Sequence, residues 1–217
     1  EWMLARAAGF NAGFALATSF NAVKTNRDTG PILDAIREWE SARRRGAFSA
    51  ARRELLKNPK SEFHLEVVGD GRWNLYPMHE SRVYRHERVV RQPGEPTSSR
   101  MEYQNPDQKQ ALQFKLRVVG DSGIVVNPRI DVDRSATVSF TVELTSGQTL
   151  LCEGSSTARV YDAKGRQIKS VEANAAIPTV QPGKHEIQFD CGFKGSMSPA
   201  VLVTFRTRGN AEEIHGR

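Results

Sequence analysis

Two hydrophobic periods divide the chain near Asn58-Pro59-Lys60. Before that point apolar residues recur at helical spacing. Trp2, Leu4, Ala5 and Ala8 predict a short helix ended at Gly9, and Ile32, Ala35, Ile36, Trp39 and Ala42 share one face of a longer helix. Pro31 suits the first turn of that helix and Gly46 its stop. A further short helix, about Ser49 to Lys57, turns a basic face to water. Between the first two, Gly13-Phe14-Ala15-Leu16-Ala17-Thr18 is a compact apolar run without polar alternation, which predicts a strand covered on both faces.

After residue 60 the period becomes two. Leu112, Phe114, Leu116 and Val118 alternate with Gln113, Lys115 and Arg117, and Ala136, Val138, Phe140, Val142 and Leu144 alternate with Thr137, Ser139, Thr141 and Glu143. The same pattern takes in Phe63 to Val67, Trp73 to Leu75, Val83 to Val90, Leu150 to Cys152, Ala158 to Val160, Ile187 to Cys191 and Val201 to Phe205, for about ten strands. Asp70-Gly71, Asp162-Ala163-Lys164-Gly165 and Pro182-Gly183 mark tight turns. The stretch from Gln92 to Lys109, rich in Pro, Gly, Ser and Gln, reads as a long surface loop and a place to look for function.

Many short antiparallel strands with one wet face predict a mainly β architecture, a sandwich or jelly roll over residues 61–210 with a tail at 211–217. It is preceded by an α/β segment, residues 1–46, and a helical connector, residues 47–60. One covered strand between two helices cannot bury itself, so residues 1–46 are expected to be the last helix–strand–helix of a (β/α)₈ barrel whose remainder lies elsewhere. Thr18, Ser19 and Asn21 would then sit at the barrel rim, with turn or capping duty as their alternative. The opening Glu1-Trp2-Met3-Leu4 likewise reads as a chain cut from something longer.

A hydrophobic fraction of 38% and a charged fraction of 26% fit a packed domain. The net charge of +6 raises nucleic acid as a partner, but Arg43, Arg44, Arg45, Arg52, Arg53, Lys57 and Lys60 crowd one stretch and fit a solvated helix face. Nucleic acid is therefore the less favoured partner. No apolar run is long enough to span a bilayer, and none is expected to meet a membrane. The two cysteines exclude a disulfide framework and a four-thiolate zinc site, leaving either a Cys152–Cys191 bond or two free thiols.

The five histidines make no compact metal spacing, and no nucleophile elbow, phosphate loop or dinucleotide fingerprint occurs. Glycosidases need two carboxylates flanking the sugar bond. Asp131 and Asp133 lie too near in sequence for that; they are rim charges, with calcium as a minor alternative and no other cofactor expected. His79-Glu80 and His86-Glu87 read as solvent-face pairs. Aromatic rings stack on the apolar faces of sugars, which makes Tyr76 and Tyr103, near loops, the carbohydrate-binding candidates. Trp73, alternating with Leu75, is the third candidate, with packing as its alternative.

Several phrases resemble the C-terminal part of large bacterial glycoside hydrolases. Ala7-Ala8-Gly9-Phe10-Asn11-Ala12-Gly13-Phe14-Ala15-Leu16 is similar to a barrel's last strand, and Ile32-Leu33-Asp34-Ala35-Ile36-Arg37-Glu38-Trp39-Glu40 to its last helix. Ala158 to Gly165 and Gln181 to Ile187 resemble strand and turn phrases of appended jelly rolls, some galactose-binding-like. The resemblance implies a secreted or periplasmic, polysaccharide-degrading parent. Its catalytic barrel would lie covalently upstream or in a separate chain, and this chain would be a non-catalytic accessory sandwich that packs on the barrel and contacts glycan. It transfers no catalytic residue, because the acid pair would lie on barrel strands outside this chain. A freestanding carbohydrate-binding module and a basic nucleic-acid-binding domain are the alternatives.

Overall fold

The computed structural model describes residues 1–26, 28–88, 97–195 and 199–217. They form two compact units, Glu1–His79 with Arg208–Arg217, and Glu80–Thr207.

The first unit holds helices α1 (Trp2–Gly9), α2 (Phe20–Thr25), α3 (Thr29–Arg44) and α4 (Ala50–Lys57), then strands β1 (Glu62–Gly69) and β2 (Arg72–Glu80). Leu4, Ala5 and Ala8 bury the inner face of α1. Gly9 lets α1 and α4 meet closely, since a Cβ there would stand 2.9 Å from the Lys57 nitrogen and 3.0 Å from the Arg53 oxygen. On α3 the buried face is Trp39 and Ala42, with Trp39 stacked on Phe48 at 5.7 Å. Ile32, expected on that face, is exposed. Ser49 caps α4 by accepting from the Arg52 amide at 3.3 Å. The hairpin β1–β2 turns at Asp70-Gly71, where Gly71 has φ 65°, and pairs through β2 with a closing strand, Glu212–His215. Leu65, Trp73, Leu75 and Ile214 complete this unit's core.

The strand expected over Gly13 to Thr18 is absent. Residues 12–19 have no regular structure and are largely exposed, and only Phe14 packs on the core. The Phe14 amide donates to Glu40 Oε1 at 3.1 Å, a side-chain acceptor in place of a neighbouring strand. The barrel-end reading thereby loses the strand on which it stood.

The second unit is the β-sandwich. Its strands are β3 (Tyr84–Glu87), β4 (Ser99–Asn105), β5 (Gln110–Ala111), β6 (Gln113–Val119), β7 (Ile124–Val132), β8 (Ala136–Ser139), β9 (Glu143–Thr145), β10 (Thr149–Glu153), β11 (Thr157–Tyr161), β12 (Gln167–Glu172), β13 (Thr179–Val180), β14 (Gly183–Lys194) and β15 (Ala200–Arg208). One sheet runs β3-β15-β6-β10-β11-β12, a second runs β4-β14-β7-β8 with β9 also on β7, and β5 pairs β13, all antiparallel. Phe114, Leu116, Leu150, Val160, Val203 and Phe205 from the first sheet share one core with Met101, Ile130, Val138, Ile187 and Phe189 from the second.

Two expectations change here. The long loop read over Gln92 to Lys109 contains β4, in which Met101, Tyr103 and Asn105 are buried and alternate with exposed Arg100, Glu102 and Gln104. Its polar composition hid a regular strand paired with β14 from Ser99 to Asn105. Gln92 to Pro96 lie outside the described residues, as do Val89 and Val90 of the strand expected over Val83 to Val90. The single strand expected over Ala136 to Leu144 is interrupted between β8 and β9, because its partner bulges. Asp190 faces Arg129 and Gly192 faces Val126, so Asn127 and Pro128 on β7 stand opposite Cys191 alone. Asn127 takes φ 49° and Pro128 has no amide to donate, and β7 passes there from β9 to β8.

Candidate binding cleft

At that bulge lies a cleft of about 520 Å³ lined by residues of β3, β7 and β14 together with Arg88 and Thr97. Its inner wall is aromatic. His86 is buried, lies parallel to Phe193 with centroids 5.6 Å apart, and meets the edge of Phe189 at 5.0 Å. A contact of 2.8 Å joins His86 Nδ1 to the Ser99 hydroxyl and ties β3 to β4.

Among the described residues the rim is polar and its charges balance, with Glu87 and Asp190 against Arg88 and Arg129. Asp190 is oriented from two sides: Oδ2 accepts from the Thr97 hydroxyl at 3.0 Å, and Oδ1 from the Cys191 amide at 2.9 Å. Arg129 stands directly across from Asp190 on the neighbouring strand and donates instead to Asp131 Oδ1 at 3.0 Å. Asp131 also accepts from the Thr137 hydroxyl. Burial pushes the Asp131 carboxyl up, but Thr137 and Arg129 outweigh it and hold the group below the ordinary carboxylate value. Asn127 completes the rim, its Oδ1 accepting from the Val142 amide at 3.3 Å. Cys191 lies at the bulge, where burial and then the Asp190 charge push its thiol up to about 12, so the thiol is a neutral wall group at neutral pH and not a nucleophile.

None of the sequence-predicted sugar contacts lines this cleft. Trp73 is buried, and its indole N–H donates to Glu38 at 3.1 Å, which gives it the packing role. Tyr103 is 3% exposed and packs on Phe205, so it offers no ring face to solvent. Burial raises its hydroxyl to about 12, against a smaller opposing effect of Thr207. Tyr76 is half-buried; Arg208 covers one ring face at 3.4 Å from the centroid, and the hydroxyl donates to Glu66 at 2.9 Å. The Tyr76 hydroxyl first, and Arg208 after it, hold the Glu66 carboxyl below its usual range.

Thr18, Ser19 and Asn21 do not line the bulge cleft. Ser19 caps α2, accepting from the Ala22 amide at 3.2 Å, and the Asn21 carbonyl accepts from Thr25 within that helix. Cys152 and Cys191 are free thiols, so the bond weighed from the sequence is not formed; Cys152 lies on β10 of one sheet and Cys191 on β14 of the other. Asp131 and Asp133 point to different partners. Asp133 takes φ 52° at the β7–β8 turn and binds His185 at 2.6 Å. Among the described residues no three His, Cys, Asp or Glu gather into a metal-binding group.

Sequence reasoning missed His86, Thr97, Asn127, Arg129, Asp190 and Phe193. The available signal was Asn127-Pro128 inside an otherwise strand-like run, where a proline belongs at a bulge or an edge. Comparison with known proteins finds no family model, no curated protein and no solved structure that matches this chain.

Proposed function

We propose that this chain is a glycan-contacting β-sandwich module whose binding site is the bulge cleft, with Asp190, Arg129, Asn127 and Thr97 on sugar hydroxyls and the Phe193 ring, backed by buried His86, against an apolar ring face. The observation that carries this reading is the cleft itself, in which oriented donors and acceptors surround a partly apolar wall at a size suited to a small ligand. The balanced rim charges favour a neutral saccharide over a polyanion, for which cations would prevail. The resemblance to hydrolase tails supplies the setting, in which such a module would hold polysaccharide for a catalytic domain of the same secreted or periplasmic system.

Isothermal titration of the full chain against neutral xylo-, cello-, manno- and malto-oligosaccharides tests it. At least one series should bind. Asp190→Ala or Arg129→Ala should weaken that binding about tenfold or more, since each leaves a desolvated partner unmet. Absence of binding across the panel, or binding to single-stranded DNA that falls steeply with salt, would overturn it.

A further inference from the structure

The cleft does not end at its rim. The row that begins with Asp190 on β14 and Arg129 on β7 continues to Ser139 on β8, which stands opposite Arg129. Beyond β8, Asn174 Nδ2 donates to the Ser139 hydroxyl at 3.2 Å and to Thr141 Oγ1 at 3.2 Å. A parallel row, Gln188, Asp131 and Thr137, flanks it on the same outer face. Neighbouring strands lie about 4.8 Å apart, so β14 to β8 alone covers ~10 Å, and the row reaches past β8 to Asn174. Hydroxyls and amides fill it, and each charged group is oriented by a neighbour: Arg129 by Asp131, Asp131 by Thr137, Asp190 by Thr97. Such a surface offers alternating donors and acceptors without excess charge, which suits a chain of vicinal hydroxyls laid across the strands. Long charged side chains lie to either side of these rows, Arg100, Glu102, Lys184 and Glu186 on β4 and the start of β14 of this sheet and Lys115, Arg117, Glu153, Arg159 and Arg206 on the other sheet.

Resting on the cleft as a sugar site, we infer that the ligand is a neutral oligosaccharide bound end-on, with one terminus in the cleft and following units along Ser139 and Asn174. Ser139 and Asn174 are then contacts for the later units alone. The structural alternative is that Asn174 merely anchors the segment after β12.

Calorimetry with mono-, di-, tetra- and hexasaccharides of whichever series binds tests the inference, using the native chain and the Ser139→Ala and Asn174→Ala variants. Affinity should rise from di- to tetrasaccharide by roughly tenfold, and each variant should lose about three- to tenfold on the tetrasaccharide while leaving mono- and disaccharide binding unchanged. Equal affinity at every length, or equal weakening by the variants at every length, would overturn the extension and leave the cleft reading intact. No binding at any length would overturn both. Thermal midpoints measured alongside separate a lost contact from a displaced segment: a variant whose midpoint falls while its length dependence persists assigns Asn174 to anchoring, against the inference.

Discussion

The two units satisfy their cores in different ways. The sandwich closes two sheets over a large shared core, and among the described residues it leaves only Val83 and Ile168 as exposed large hydrophobics. In the helical unit a smaller core is gathered around Trp39, Trp73 and Phe48, while Trp2, Met3, Phe10, Leu16, Phe20, Ile32 and Leu33 stay exposed. Polar tethers make up part of its cohesion. Arg6 donates to the carbonyls of Leu56 and Ser61, Trp73 to Glu38, and Arg45 pairs with Asp70 at 2.9 Å. A core with many equivalent contacts tolerates local loss, whereas one organised around two indoles concentrates its stability in few residues.

The largest test of that contrast is Trp39→Ala. Removing a fully buried indole should cost about 3–5 kcal/mol, and native-state hydrogen exchange should show α3 and α4 losing protection while β6 and β10 keep theirs. Equal loss in both units would break the comparison.

A smaller effect belongs to the sandwich. His185 Nδ1 lies 2.6 Å from Asp133 Oδ2 and Nε2 lies 2.7 Å from the Gln181 carbonyl, so two acceptors flank one ring and only the imidazolium donates to both. Burial lowers the tendency to protonate, but Asp133 and the Gln181 carbonyl outweigh it and raise the His185 value above its ordinary 6.5. A raised folded value means that the contribution is complete below pH 6.5 and fades as pH climbs through the folded value. The native sandwich should therefore lose about 1 kcal/mol between pH 6 and pH 9 relative to His185→Gln, as denaturant titrations at several pH values would register. Parallel pH curves for the two proteins would refute it.

The smallest expected change is at Tyr103. Tyr103→Phe keeps the ring on Phe205 and removes only a buried hydroxyl, so stability should move by less than about 1 kcal/mol and saccharide affinity not at all. A large loss of binding would return Tyr103 to the site.

Much of this architecture was legible in the sequence. Helical spacing located α1, α3 and α4 because each buries one stripe, and strict alternation located β6, β10 and β15 because each has one wet face. What escaped was decided at long range. Gly13 to Thr18 has the composition of a covered strand, yet periodicity cannot say whether a partner strand exists, and here Glu40 takes the Phe14 amide. In β4 the alternation was present, but Ser99, Gln104 and Asn105 read as loop chemistry. The cleft was the least legible, since His86, Asn127 and Asp190 meet only through the pairing of β7 with β14 and the tie from His86 to Ser99. Tyr76 and Tyr103 were plausible because aromatic residues near turns are often exposed; neither lines the cleft, since Arg208 covers one face of Tyr76 and Tyr103 is buried.

The bulge at Asn127-Pro128 has a consequence for how this recess can change. Its shape is written in the main chain, in one left-handed residue and one missing amide, while most of its chemistry is carried by side chains around it, Arg129 and Asp190 on the paired strands and Thr97 before β4. Form and preference are thus separable inheritances. Exchanging residues 97, 129 and 190 would retune what the recess accepts on a constant frame, whereas a β-branched residue at 127 would strain the left-handed turn that shapes it.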